Sequence, residues 1–363
     1  MNSPSDASPS DATSAPDPAA VKPSRARRLA APLLVGAVVW MVALAALLHG
    51  TRGEAEARRN LTLRTGELIG WLDHDMTTSC DRIGFAREGG PGDAAPAWRD
   101  VLAAGEEAAA VALSTTPRLP SLAADPRLAT SLRAATEARR FTAFSRPEEM
   151  VDDPWPRRAR VFARMLGNGC ADRADRVAWL AGAIALASDL RSIATLEHGA
   201  VAAEIDEALA ARAGEGPFEP ADAALLADLL AAAKRRLPVA GCVAIRETRL
   251  LQATVCALAD VPPLRGGRLR SDDEPPLPLP LADDAVARFD RLPALLLPLL
   301  AGAPDAAARK GFADWRDAFG RDLPRIAPLL PTTDAAAATA DAARSLDRIL
   351  EMVRRQTPGP SAR

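Results

Sequence analysis

The sequence predicts a mostly α-helical protein: a single N-terminal transmembrane helix followed by an irregular all-α helical bundle. Three observations predict it. Residues 29–48, LAAPLLVGAVVWMVALAALL, form an uncharged apolar run. Beyond it, apolar residues recur at helical spacing between Pro- and Gly-rich breaks, with no sustained alternation of strand type. Apolar residues make up 48% of the 363 and charged residues 25%, so only the one run departs from the composition of a folded soluble chain.

Residues 1–28 carry Ser, Pro, Asp and Ala with little to bury, which predicts a disordered tail on the cytoplasmic side. The apolar run follows, its last residue Leu48. At about 1.5 Å per residue, 20 residues span about 30 Å, the thickness of a bilayer's hydrocarbon core. Residues 29–49 are therefore read as a signal-anchor whose partner is the lipid bilayer. Arg25, Arg27 and Arg28 crowd the side before Leu29, whereas only Arg52 lies comparably close beyond the run. Positive charge stays inside, so the large domain is expected outside the cytoplasm. A GC-rich codon bias accounts for all but three of the 45 basic residues being Arg, and it points to a bacterial inner membrane. Ala43, Leu44 and Ala45 also offer a signal-peptidase site, but the long run and 28-residue leader fit an uncleaved anchor.

An extracytoplasmic helical domain is expected over 50–259. It starts with one helix near 54–86, striped by Thr65, Ile69, Leu72, Met76, Ser79 and Ile83. Helices near 97–113 and 127–143 follow, then one from Pro154 that stops at Gly167. The longest periodic run is 172–212, with Gly199 as the expected point of division. A helix with Pro220 in its first turn closes on Lys234, Arg235 and Arg236, where cations complement the helix dipole. Residues 243–258 make another. The proline-rich stretch 260–281 reads as a linker or loop. C-terminal helices near 282–301, 304–321 and 333–355 should pack on the domain up to residue 357, and 358–363 should fray.

The net charge of −2 gives no reason to expect nucleic acid as a partner. No G-x-S-x-G, H-E-x-x-H, P-loop or dinucleotide fingerprint appears, so neither a catalytic residue nor a metal or other cofactor is predicted. The expected role is a non-catalytic scaffold or interaction domain with a protein partner. The alternative is an exported enzyme or ligand sensor with a polar cleft near Glu204 and Glu247. Its binding candidates are Glu204, Arg246 and Glu247, with Asp189 and Arg249 as further polar residues in apolar helical runs. Neither His74 nor His198 carries a ligand pattern; a hydrogen-bonded core histidine is the ordinary reading of His198.

Cys80, Cys170, Cys242 and Cys256 all fall beyond the apolar run, and an even count in an exported domain suggests disulfides. If 243–258 is one helix, Cys242 and Cys256 lie about 21 Å apart and cannot bond. That leaves Cys80–Cys242 with Cys170–Cys256, or Cys80–Cys256 with Cys170–Cys242.

Overall fold

The computed structural model describes residues 25–71, 73–74, 80–82, 84–85, 92–111, 116–146, 149–150, 153–264, 274–302 and 306–357. The chain divides into two compact units, Met1–Glu54 and Ala55–Arg363. Of the expected tail over 1–28, residues 1–24 lie outside the described residues, as do the remaining gaps and the frayed end at 358–363, while 25–28 are helical and correct the tail's end.

The first helix, α1 (Arg25–Trp71), contains the apolar run. Among the described residues it is the one helix long and apolar enough to cross a membrane. In the first unit its side chains from Val35 onward are exposed, Trp40 by 73%. In the second unit the same helix buries Ala57, Leu61, Thr65 and Leu68, spaced by four, four and three, which is one face. The buried face thus begins earlier than the predicted stripe, whose Leu72, Met76, Ser79 and Ile83 lie outside the described residues. α1 ends at Trp71, and Cys80–Asp81 forms a short strand, β1.

That strand corrects two expectations, the helix through residue 86 and the chain without strands. β1 pairs antiparallel with β2 (Arg140–Phe141), Cys80 opposite Phe141 and Asp81 opposite Arg140. The cause sits one residue on. The buried Arg82 donates from its backbone to the Arg139 carbonyl (2.8 Å) and from Nη1 to the carbonyls of Ala135 (2.6 Å) and Ala138 (2.9 Å). Those carbonyls end α3 (Pro126–Glu137), whose helical path therefore stops well short of residue 143.

After α2 (Ala94–Val111) and α3 comes α4 (Trp155–Asn168). Its stop is Gly169 and not Gly167: Gly169 takes φ +96°, a conformation that glycine adopts without strain. The predicted 172–212 run becomes α5 (Arg176–Ser192) and α6 (Leu196–Ala213). The division falls at Ala194, with φ +57°, and Thr195, which caps α6 by accepting from the His198 N–H. Gly199 instead lies in the first turn of α6. A Cβ there would sit 2.3 Å from Thr339 Oγ1, so Gly permits close approach and not a break.

Every residue of α5 from Trp179 to Arg191 is buried, so this helix is enclosed on all sides and forms the middle of the bundle. It packs against α3, α6 and α7 (Pro220–Arg235). α6 in turn touches α4 and α5 and, from the C-terminal part, α12 (Thr333–Ala340) and α13 (Ala342–Arg355). α8 (Ala240–Leu258) is unbroken and carries α9 (Leu279–Phe289) and α10 (Leu292–Leu300). The predicted helices 282–301 and 333–355 are thus each two, divided around Asp290 and Asp341. Pro293 opens α10, where its missing N–H costs nothing. Between α8 and α9 the described parts of the proline-rich stretch are irregular, and the Leu277 N–H donates to the Leu258 carbonyl (2.8 Å). α11 (Ala306–Asp322) supplies Phe312, Trp315 and Phe319 to an aromatic group with Phe289.

Three of the four cysteines carry free thiols: Cys170 is half-buried, Cys242 exposed and Cys256 buried. The Cys80 side chain lies outside the described residues. Both predicted disulfide schemes need Cys170 joined to Cys242 or Cys256, and neither bond is formed. Cys256 is instead buried, with Thr65 of α1 beside its thiol. Burial pushes the Cys170 thiol up to about 11, which leaves it protonated and unreactive at neutral pH.

Candidate ligand groove

Two of the three binding candidates converge. Glu204 and Glu247 both line one open groove of about 780 Å³, which runs along α6 between the start of α4, α8 and the segment 328–338. A volume of this size suits a small organic ligand. Its walls also carry Asp153, Glu197, Glu207 and Asp334 against Arg160 and His198, so negative charge dominates.

Arg246 does not join them. Its Nη1 donates to the carbonyls of Ser192 (3.1 Å) and Ile193 (3.2 Å), closing the C-terminus of α5, although its backbone is next to Glu247. Adjacent helix positions differ by about 100°, enough to send the two side chains to different neighbours. Asp189 lies in a separate buried cluster: it accepts from Trp98 Nε1 (2.9 Å) and Arg236 Nη1 (3.1 Å), and Arg82 Nε stands 3.2 Å away. Arg249 does not line the groove either.

Glu204 is at the rim. It is about half exposed and pairs with Arg160 (3.3 Å), which also pairs with Glu197 (3.3 Å). Such exposed pairs contribute little to stability and keep their charge accessible.

Glu247 is at the floor. It is 6% exposed, and its Oε2 accepts from the backbone N–H of Leu196 (2.8 Å) at the start of α6. Its Oε1 accepts from no group among the described residues. Burial pushes the carboxyl up to about 7. The Leu196 N–H opposes that shift, the Glu197 charge adds to it and His198 opposes it. A buried carboxyl titrating near neutrality, with one oxygen unclaimed, is a group set to meet a cation or a proton.

His198 stands beside it in a short polar chain that sequence reasoning assigned to ordinary core packing. The Thr195 hydroxyl lies 2.6 Å from His198 Nδ1, and Asp153 Oδ2 lies 2.7 Å from Nε2. That second contact is close but off the direction of the ring N–H, so it is not a hydrogen bond. Thr195 is 1% exposed and its oxygen already caps α6, so this chain positions the groove wall and offers no accessible nucleophile. Asp153 and Thr195 were missed because they act across a helix junction. The one available signal was Thr195 followed by Glu197, a capping residue with an acid in the next turn.

Among the described residues no group of three or more His, Cys, Asp and Glu is placed to hold a metal ion. Comparison with family models, curated proteins and solved structures finds no match for this chain.

Proposed function

We propose that this chain is a membrane-anchored, non-catalytic binding module whose acidic groove takes an organic cation. Glu247 carries the reading. A carboxylate at the floor of a negatively charged groove, with one oxygen unclaimed, suits an ammonium or guanidinium head, while Glu204 and Glu207 at the rim suit a second positive charge. A polyamine meets both requirements. The apolar surface of α1 from Val35 to Leu48 supports the anchor, since a fully exposed stretch of this composition calls for an apolar solvent. The arginines preceding it support a folded unit on the extracytoplasmic side of a bacterial inner membrane.

Calorimetry on the full-length chain in detergent, with spermidine as the probe, tests the binding. Spermidine should bind, more tightly as pH rises through 7, and Glu247→Gln should weaken it at least tenfold. Equal affinity in the variant, or no binding at pH 8 and low salt, would sink the reading. Orientation is checked separately by a C-terminal reporter active only outside the cytoplasm. A silent reporter that is nonetheless expressed would put the folded unit on the other side.

A further inference from the structure

The groove has two kinds of wall. Glu197, Glu204 and Glu207 make the α6 side acidic. The other side is apolar, from Leu250 and Leu251 of α8 and from the segment 328–331, which reads Pro-Leu-Leu-Pro. Leu250 and Leu329 are half-buried and Pro328 is exposed, so apolar surface there is open to the groove. The hydroxyls on that side are already used. Thr254 donates to the Leu250 carbonyl (2.9 Å), and Thr332 Oγ1 accepts from the Ala335 N–H (3.1 Å) at the start of α12. Asp334 is exposed in the first turn of α12, where its charge complements the helix dipole.

Glu247 joins the two walls. Its carboxylate is 6% exposed, lines the groove and has Oε1 unclaimed. Leu250, Leu251 and Thr254 follow it at i+3, i+4 and i+7, on the same face of α8, and all three line the groove. They lie about 5 Å and about 11 Å beyond Glu247 along the helix axis. A cation held at Glu247 therefore has an apolar strip leading away from its binding point.

We propose that the ligand of this groove is an amphiphilic amine, its ammonium on Glu247 and its aliphatic chain along Leu250 and Leu251 against the segment 328–331. This rests on the reading of the groove as a cation site and narrows it, because a bare polyamine leaves the apolar strip in water. A second positive charge toward Glu204 fits the same molecule, on the other side of the ammonium. Two turns of α8 set the chain at about six to eight carbons. A fully buried methylene contributes about fourfold in affinity, and an open groove covers roughly half of each, so about twofold per methylene is expected here.

Competition calorimetry on the full-length chain in detergent, at pH 8 and low salt, tests it. Spermidine is titrated in the presence of ethylamine, butylamine, hexylamine or 1-hexanol. Hexylamine should displace spermidine at least tenfold better than ethylamine, butylamine should fall between them, and 1-hexanol should not compete. Leu250→Ser should cut the hexylamine advantage to about threefold or less. If spermidine itself does not bind, the cation reading falls and this inference with it. If spermidine binds through Glu247 but hexylamine competes no better than ethylamine, the apolar strip alone is withdrawn. Competition by 1-hexanol equal to that of hexylamine would overturn the link to the carboxylate. An undiminished preference in Leu250→Ser would overturn the placing of the chain on α8. Should Leu250→Ser fail to fold, the chain-length series on the unaltered protein decides alone.

Discussion

Two buried carboxylates, one on α5 and one on α8, have opposite surroundings. Asp189 lies between two buried guanidiniums and an indole N–H. Glu247 has a single backbone N–H and a groove in front of it. Both are buried, Asp189 fully and Glu247 to 6% exposure, so burial alone does not decide what a carboxylate does. The number of fixed donors does: two cations tie Asp189 into the bundle, whereas one amide leaves Glu247 titratable in the physiological range.

The hardest test of that contrast is to remove the charge of Asp189 while keeping its shape. Asp189→Asn leaves Arg82 and Arg236 buried without a counter-ion, and losing one member of a buried ionic cluster costs about 3–5 kcal/mol. Denaturant unfolding should show a loss of that size. A loss below about 1 kcal/mol would mean that the two guanidiniums are held by carbonyls and by the Phe85 ring, over which both lie.

Glu247 should behave in the reverse sense. Its carboxyl is pushed up from 4.5 to about 7, so the folded state holds a proton that the unfolded chain has released between those values. Its contribution to stability is therefore neutral below pH 4.5, falls as pH rises to 7 and is flat above. The full effect is about 3 kcal/mol. Glu247→Gln should match the parent near pH 4 and exceed its stability at pH 7.5. The difference between the two pH profiles isolates this group, and a flat difference would show that Glu247 is ionised throughout.

Glu204 gives the smallest effect and fixes the zero of the comparison. About half exposed and paired with an equally accessible Arg160, it should lose no more than about 1 kcal/mol as Glu204→Gln. A larger loss in denaturant unfolding would show that the rim of the groove is part of the bundle's framework.

Some of this was readable from the chain. Helical class, the apolar run and Pro220 at the start of α7 all rest on local composition and spacing. The breaks did not. Ala194 takes a positive φ with no glycine to announce it, so the division of 172–212 was assigned to Gly199, whose small size serves contact with Thr339. Arg82 and Arg191 went unremarked, and Arg236 was read only as a helix-end cation, because their partners lie 15 to 107 residues away in the chain. An arginine that will be buried looks, in sequence, like one that will not.

The sealed α5 limits how this sequence can change. Gly182 faces Leu132 so closely that a Cβ would stand 2.6 Å from its Cδ1, and small residues fill most of the turn on either side. A side chain can grow at such a position only if its neighbour shrinks, so tolerated substitutions here should come as matched pairs on α5 and the helix facing it. Along this axis the unit of variation is the contact and not the residue, and Gly182 with Leu132 is the first pair to vary together.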